Sequence, residues 1–329
     1  MSAAPDDRAE PHEGKGRRGP SLTNVMRVVL VSFIALFIAY WIFFERYLSR
    51  SIIVDAQTGA LKVVLEAELS GKAFRDLWYC ERIGDNERAK AVPSSAAGCP
   101  SRTHHWVGPD PLATPILPAG TELEITSFPN ALRIDITSLP ERFAGSDIGR
   151  LEAGALLLES RAALDALGTL PLSGKVEIGA RFSETDRLSI VNGSYQVRGY
   201  SLTGLARGEM RQLRGGALLA GARVRFVEPD GETATGHVAV MFPDPESALM
   251  RVTAMSDRIR RPDNSEWEPV NNNLGIRYYF TREVLIRPSF LESLILDPML
   301  QLLAMVFGAI AGYGWLERLL TVRSKKTSL

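Results

Sequence analysis

A chain of 329 residues has room for two domains of ordinary size, and its 45% hydrophobic and 23% charged content matches a soluble protein rather than a polytopic transporter. Thirty-eight basic residues balance thirty-eight acidic ones. No bulk field therefore invites nucleic acid, and the mixed charges read as a solvated surface.

Residues 1–24 are rich in Pro, Gly, Ala and charge, with only Met1 and Leu22 as bulky apolar residues. Such a tail cannot offset its ordering entropy and is predicted to be disordered. Lys15, Arg17, Arg18 and Arg27 make its membrane-side end basic. The run 28–44, VVLVSFIALFIAYWIFF, has Ser32 as its single non-aromatic polar residue. It is long for a signal peptide, lacks a small-x-small cleavage site, and ends in Tyr40, Trp41, Phe43 and Phe44, as an interfacial belt does. A retained transmembrane helix is predicted over 25–47.

From 48 to 288 the periodicity is that of strands. Segments 51–54 and 61–69 are β-branched or alternating and flank Thr58-Gly59, which predicts a strand pair joined by a turn. Loop-rich sequence follows over 81–120, beginning just after Cys80 and containing Cys99, the other cysteine of the chain. In an oxidising compartment the two are expected to be bonded, contributing roughly 3 kcal/mol by loop closure. TELEITSF and ALRIDITSL then alternate, with Leu123, Ile125, Leu132, Ile134 and Ile136 inward and Pro129-Asn130 as the turn. Over 146–167 apolar residues recur at helical spacing, which predicts one helix ended by Gly168 and interrupted in propensity by Gly154. It is a candidate divider, near 146–170, between two subdomains. Strands are predicted again at 175–182, 188–200, 217–227, 236–242, 248–255 and 276–286, with Asn192-Gly193 as a hairpin turn. The stretches EITSFPNALRIDITS and VAVMFPDPESALMRVTAMS echo each other, as a duplicated or a convergent hairpin would.

Segment 289–296 suits an interfacial approach to a second apolar run, 298–316, nineteen residues without charge. As a helix it is roughly 28 Å long, about one hydrocarbon core. Asp297-Pro298 is a natural start, and a transmembrane helix is predicted over 297–319, followed by a basic tail, 320–329. Ala304, Gly308 and Gly312, spaced by four, form a small-residue stripe suited to helix packing. Net positive charge is concentrated outside the two runs and absent from the flanks that face the loop between them, which places both termini in the cytoplasm and the loop outside. The expected fold class is a membrane-anchored, mainly β protein: two transmembrane helices flanking a large extracytoplasmic β-rich domain, sandwich- or barrel-like, with about one helix. The expected location is the inner membrane, with the domain in the periplasm.

Chemistry-bearing motifs are sparse. The histidines are His12, His104, His105 and His237, and no metal-ligand spacing links them to each other or to cysteine. His104, His105 and Trp106 form a candidate contact loop. Asn192-Gly193-Ser194 lacks the glycines of a nucleophile elbow, and Ser70 with Lys72 or Ser173 with Lys175 would be unremarkable in any chain of this size. Arg214-Gly215-Gly216 has no phosphate-loop context. No cofactor or metal is expected. The function expected first is a non-catalytic envelope component whose β-domain mediates assembly. Its partners would be the lipid bilayer and another membrane protein or a second copy. A membrane-tethered hydrolase acting on envelope material, or a ligand sensor signalling through a partner, are the alternatives.

Overall fold

The computed structural model describes residues 30–34, 50–82, 93, 99, 103–143, 148–179, 189–200, 209–244, 248–256, 258–259, 267–268, 272–278 and 282–287, with 295, 301, 302, 304–306, 308 and 309. The chain separates into two compact units, Met1–Arg46 and Tyr47–Leu329.

The second unit is built from β1 (Arg50–Thr58), β2 (Ala60–Leu65), β3 (Leu77–Arg82), β4 (His104–Asp110), β5 (Glu122–Phe128), β6 (Ala131–Ser138), β7 (Ala155–Leu158), β8 (Leu170–Ile178) and β9 (Ile190–Tyr200). It continues with β10 (Met210–Leu218), β11 (Ala222–Val227), β12 (Thr235–Asp244), β13 (Leu249–Met255), β14 (Arg258–Ile259), β15 (Trp267–Glu268), β16 (Asn273–Tyr278) and β17 (Val284–Ile286). Among the described residues, fifteen strands form one sheet in the order β10-β9-β1-β13-β12-β8-β2-β5-β6-β7-β3-β4, with β11, β16 and β17 branching from β8. Every pairing in it is antiparallel. The mainly β expectation holds, and strands before and after 146–170 belong to the same sheet.

Alternation sets the core. Ile52, Val54, Leu61, Val63, Leu123, Ile125, Ile134, Val176, Val224, Val240, Val252 and Leu274 are all buried and meet in one cluster. Their strand neighbours Lys62, Glu124, Asp135, Glu177 and Arg251 turn to the opposite face, as a period of two requires. The β5–β6 hairpin turns at Pro129-Asn130 as expected, with Asn130 at φ 57° and Phe128 opposite Ala131.

Three local expectations are corrected. First, β1 and β2 do not pair with each other: β1 lies between β9 and β13, and β2 between β5 and β8. Thr58-Gly59 is a corner in one continuous chain, where the Thr58 hydroxyl donates to the Ala60 carbonyl at 3.0 Å. The path β1-β13-β12-β8-β2 returns to the chain it left, so the sheet curls back on itself at a bent strand.

Second, Asn192-Gly193 is not a turn but lies inside β9, with Gly193 opposite Ala56 of β1 and Leu218 of β10. A Cβ on Gly193 would sit 2.7 Å from the Asp55 carbonyl oxygen. The glycine serves close strand approach rather than a left-handed turn. Third, 146–167 is not one helix. Residues Ile148–Leu151 form a 3-10 turn, Ala155–Leu158 is β7, and only Arg161–Leu167 is helical. The ALLL segment is buried throughout and pairs with β6 on one edge and β3 on the other. Gly154 lets the backbone pass against the Cys80 carbonyl. The short helix is capped by Ser160, whose hydroxyl accepts the Ala163 N–H at 3.1 Å, and ends at Gly168 as expected.

Among the described residues no helix is long and apolar enough to cross a membrane. Most of the predicted spans 25–47 and 297–319, and the tails 1–24 and 320–329, lie outside those residues. Where they are described, 30–34, 301, 302, 304–306, 308 and 309 are helical. Their apolar side chains, among them Leu30, Phe33, Leu302 and Met305, are exposed.

Candidate functional site

The end of the sheet from which both outer chain segments leave is held by buried polar groups. Ser256, fully buried, accepts the Ile52 N–H on its hydroxyl at 2.9 Å and donates its own N–H to the Ile52 carbonyl at 2.9 Å. Its carbonyl accepts from the Asn272 amide at 3.4 Å. Two residues on, Leu274 of β16 is opposite Ile286, the last residue of β17. The start of β1, which follows the first apolar run, and the end of β17, which precedes the second, therefore emerge at one pole.

Beside that pole the outer face of the sheet is concave. A groove of ≈ 500 Å³ is lined by Leu65, Ala67, Glu68 and Leu69 on one wall. Pro171, Leu172 and Ser173 of β8, His237, Val238 and Ala239 of β12, and Thr253 and Met255 of β13 line the rest. Its rungs run Ile53–Met255–His237–Ser173 across four strands, and the Ser173 carbonyl closes the last by accepting the Glu66 N–H at 2.9 Å. Burial lowers the pKa of the His237 imidazole, and Glu66 pulls it partly back. The volume and the mostly apolar lining with a few polar groups fall within the range found for ligand pockets in general. Neither the groove nor Glu66 and Glu68 stood out in the sequence. The available signal was the outward positions His237, Ala239, Thr253 and Met255, where strands of this face elsewhere carry charge.

Further along the same face the outward residues form a charged row. In register across β11, β8, β2, β5 and β6 stand Arg225, Glu177, Lys62, Glu124 and Asp135. At one end Arg225 grips Glu283 with two hydrogen bonds of 2.7 Å, Nε to Oε1 and Nη2 to Oε2. The Glu283 carboxyl is held below its ordinary value by those bonds, and the guanidinium is raised in turn. Gly275, opposite Arg225, leaves the space the carboxylate occupies. At the other end Glu124 and Asp135 face each other with like charge. Burial raises both, and Asp135 adds to the rise at Glu124. Lys62 pairs with Glu122, and Arg133 Nε donates to Asp135 at 2.7 Å. Arg133 thus engages Asp135, while Glu124 faces Lys62 across the β2–β5 rung.

The candidates from sequence are dispersed. Cys80 and Cys99 are bonded, with Cα atoms 5.8 Å apart. They pack with Trp78, Trp106, Ala131, Ala155 and Leu157 in a second, smaller apolar cluster. His104, His105 and Trp106 belong to strand β4 rather than to a loop. His104 is buried with Nε2 2.8 Å from the Glu152 carbonyl, Trp106 is buried, and His105 is exposed. Ser173 lines the groove, while the Lys72 ammonium donates to the Thr169 carbonyl at 2.8 Å. At Gly308 an added Cβ would meet nothing within 4 Å, and Ala304 is exposed; Gly312 lies outside the described residues. Among the described residues no group of three or more His, Cys, Asp and Glu side chains is arranged to hold a metal ion. No family model matches the chain, and no curated protein or solved structure matches it.

Proposed function

We propose that this protein is a non-catalytic, membrane-anchored component of the cell envelope. Its β unit is held against one membrane face by both of its ends and assembles there with other membrane components. The observation that carries this reading is the common pole. The N–H of Ile52, the hydroxyl of Ser256, the amide of Asn272 and the Leu274–Ile286 rung tie the two outgoing chain ends together. A domain whose ends left at opposite poles would not sit between two spans entering one bilayer. The exposed apolar side chains at 30–34, 302, 305 and 306 support it, because a hydrocarbon solvent suits them and water does not. The Cys80–Cys99 disulfide suits an oxidising compartment. Within this reading, open space at Gly308 suits close approach by another helix.

Reporter fusions at the two termini, combined with thiol labelling of a Ser70→Cys variant in intact cells, test the arrangement. Both termini reporting cytoplasm, the introduced thiol labelled by an impermeant reagent, and extraction only by detergent are expected. Termini on opposite sides, or release by alkaline carbonate, would refute it. A mild-detergent pull-down then tests assembly. A partner lost on changing Gly308 to Leu is expected, and a monomer without companions would return attention to envelope hydrolysis.

A further inference from the structure

The groove beside the pole has a use that the tether does not require. We propose that it binds the hydrocarbon tail of an amine-headed membrane lipid, with the ammonium group against Glu66 and Glu68. The inference rests on the membrane-anchored reading above and adds a ligand to it.

Three observations select this occupant. The floor strands β8, β12 and β13 are each paired on both edges. An extended peptide laid on them would find few free backbone groups, and its own N–H and C=O groups would be desolvated without partners. An alkyl chain carries no such groups, and Leu65, Leu69, Pro171, Ala239 and Met255 offer it apolar contact. Second, the carboxylate of Glu68 is the one full charge among the lining side chains. Glu68 lines the groove, Glu66 acts on His237 within it, and both glutamates are exposed. A fatty acid or an anionic headgroup would be repelled there, whereas an ammonium finds complementary charge. Third, the groove reaches Met255 and His237, one rung from Ser256 and Ile52, where the chain ends leave. A lipid tail rising from the outer leaflet reaches that level without crossing the domain.

The test uses the full chain in nanodiscs containing phosphatidylethanolamine with a photoactivatable diazirine at the end of one acyl chain. Crosslinked residues are mapped by mass spectrometry. Crosslinks in 65–69, 171–173, 237–239 and 253–255 are expected, and Ala67→Trp and Ala239→Trp should each remove them. Ala67 is exposed on the wall of the groove, so its variant reports occupancy even if the change at Ala239 impairs folding. Native mass spectrometry of delipidated protein should show phosphatidylethanolamine preferred over phosphatidylglycerol with the same chains. The expected preference is on the order of fivefold, as for two exposed ion contacts, and Glu66→Gln with Glu68→Gln should erase it. Crosslinks confined to 25–47 and 297–319 would overturn the lipid site while leaving the anchored reading intact. Equal affinity for the two lipids would overturn the headgroup assignment. Loss of a protein partner in Ala67→Trp with lipid crosslinks unchanged would make the groove a protein-docking surface instead.

Discussion

Replacing Ser256 with alanine examines the polar knot on which the anchored reading depends. The side chain is fully buried, and its hydroxyl accepts the Ile52 N–H at 2.9 Å. Alanine keeps the two backbone contacts, from the Ser256 N–H to the Ile52 carbonyl and from Asn272 to the Ser256 carbonyl, and removes only the acceptor. A buried donor left without its acceptor costs about 1–3 kcal/mol. For a domain of this size each kcal/mol lowers Tm by roughly 2–4 °C, so a fall of roughly 2–12 °C is expected. Near-UV circular dichroism of the full chain in detergent measures it, and hydrogen exchange over 50–54 localises it. Faster exchange at Ile52 should accompany the drop. Asn272→Ala removes a longer bond, 3.4 Å, and should cost about 1 kcal/mol or less. A Ser256→Ala protein within about 0.5 kcal/mol of wild type, a change typical of an unconstrained surface site, with unchanged exchange at Ile52, would refute the reasoning.

Three further outcomes follow from the sheet face. Glu124→Gln should stabilise the protein at pH 7 by roughly 0.2–1 kcal/mol, since it removes a like-charged pair directly opposite Asp135. Because both carboxyls are raised in the folded state, wild type loses stability as pH climbs from their ordinary values through their folded ones. The gain from Glu124→Gln should therefore vanish in denaturant titrations run below the ordinary glutamate value of 4.5. Glu283 behaves oppositely: its lowered value gives stability that is present above pH 4.5 and lost as pH falls through the folded value. Arg225→Leu should flatten that part of the stability–pH curve, and an unchanged slope would count against the ion pair. Gly193→Ala should cost about 1–3 kcal/mol by thermal unfolding, because its Cβ would meet the Asp55 carbonyl oxygen at 2.7 Å. A neutral substitution would mean that β1 and β9 can separate without penalty.

Much of the strand content was legible because alternation is local. Leu123, Ile125, Leu132, Ile134 and Ile136 were assigned inward from sequence and are buried. The Pro129-Asn130 turn was legible for the same reason, and the cysteine pair because the chain holds two cysteines and no more. The misreadings share a cause. Asn-Gly is a turn signal because both residues tolerate positive φ, yet at 192–193 the missing Cβ accommodates a neighbouring strand. ALLL reads as half of a helical stripe until β3 and β6 take both of its edges. Uncharged outward positions at His237, Ala239, Thr253 and Met255 are the one local sign of the groove, whose walls come from segments far apart in the chain.

By itself, the sequence determined what each residue could do nearby: strands where apolar residues alternate, a break between strands at Thr58-Gly59, and two uncharged runs of bilayer length. The tertiary structure decided which strands meet. Pairing depends on hydrogen-bond edges and faces brought together from distant segments, and local propensity carries no record of them. That is why β1 and β2, one residue apart in the chain, have β13, β12 and β8 between them in the sheet. Ile52, Ser256, Asn272 and Ile286, scattered over the chain, close one pole for the same reason.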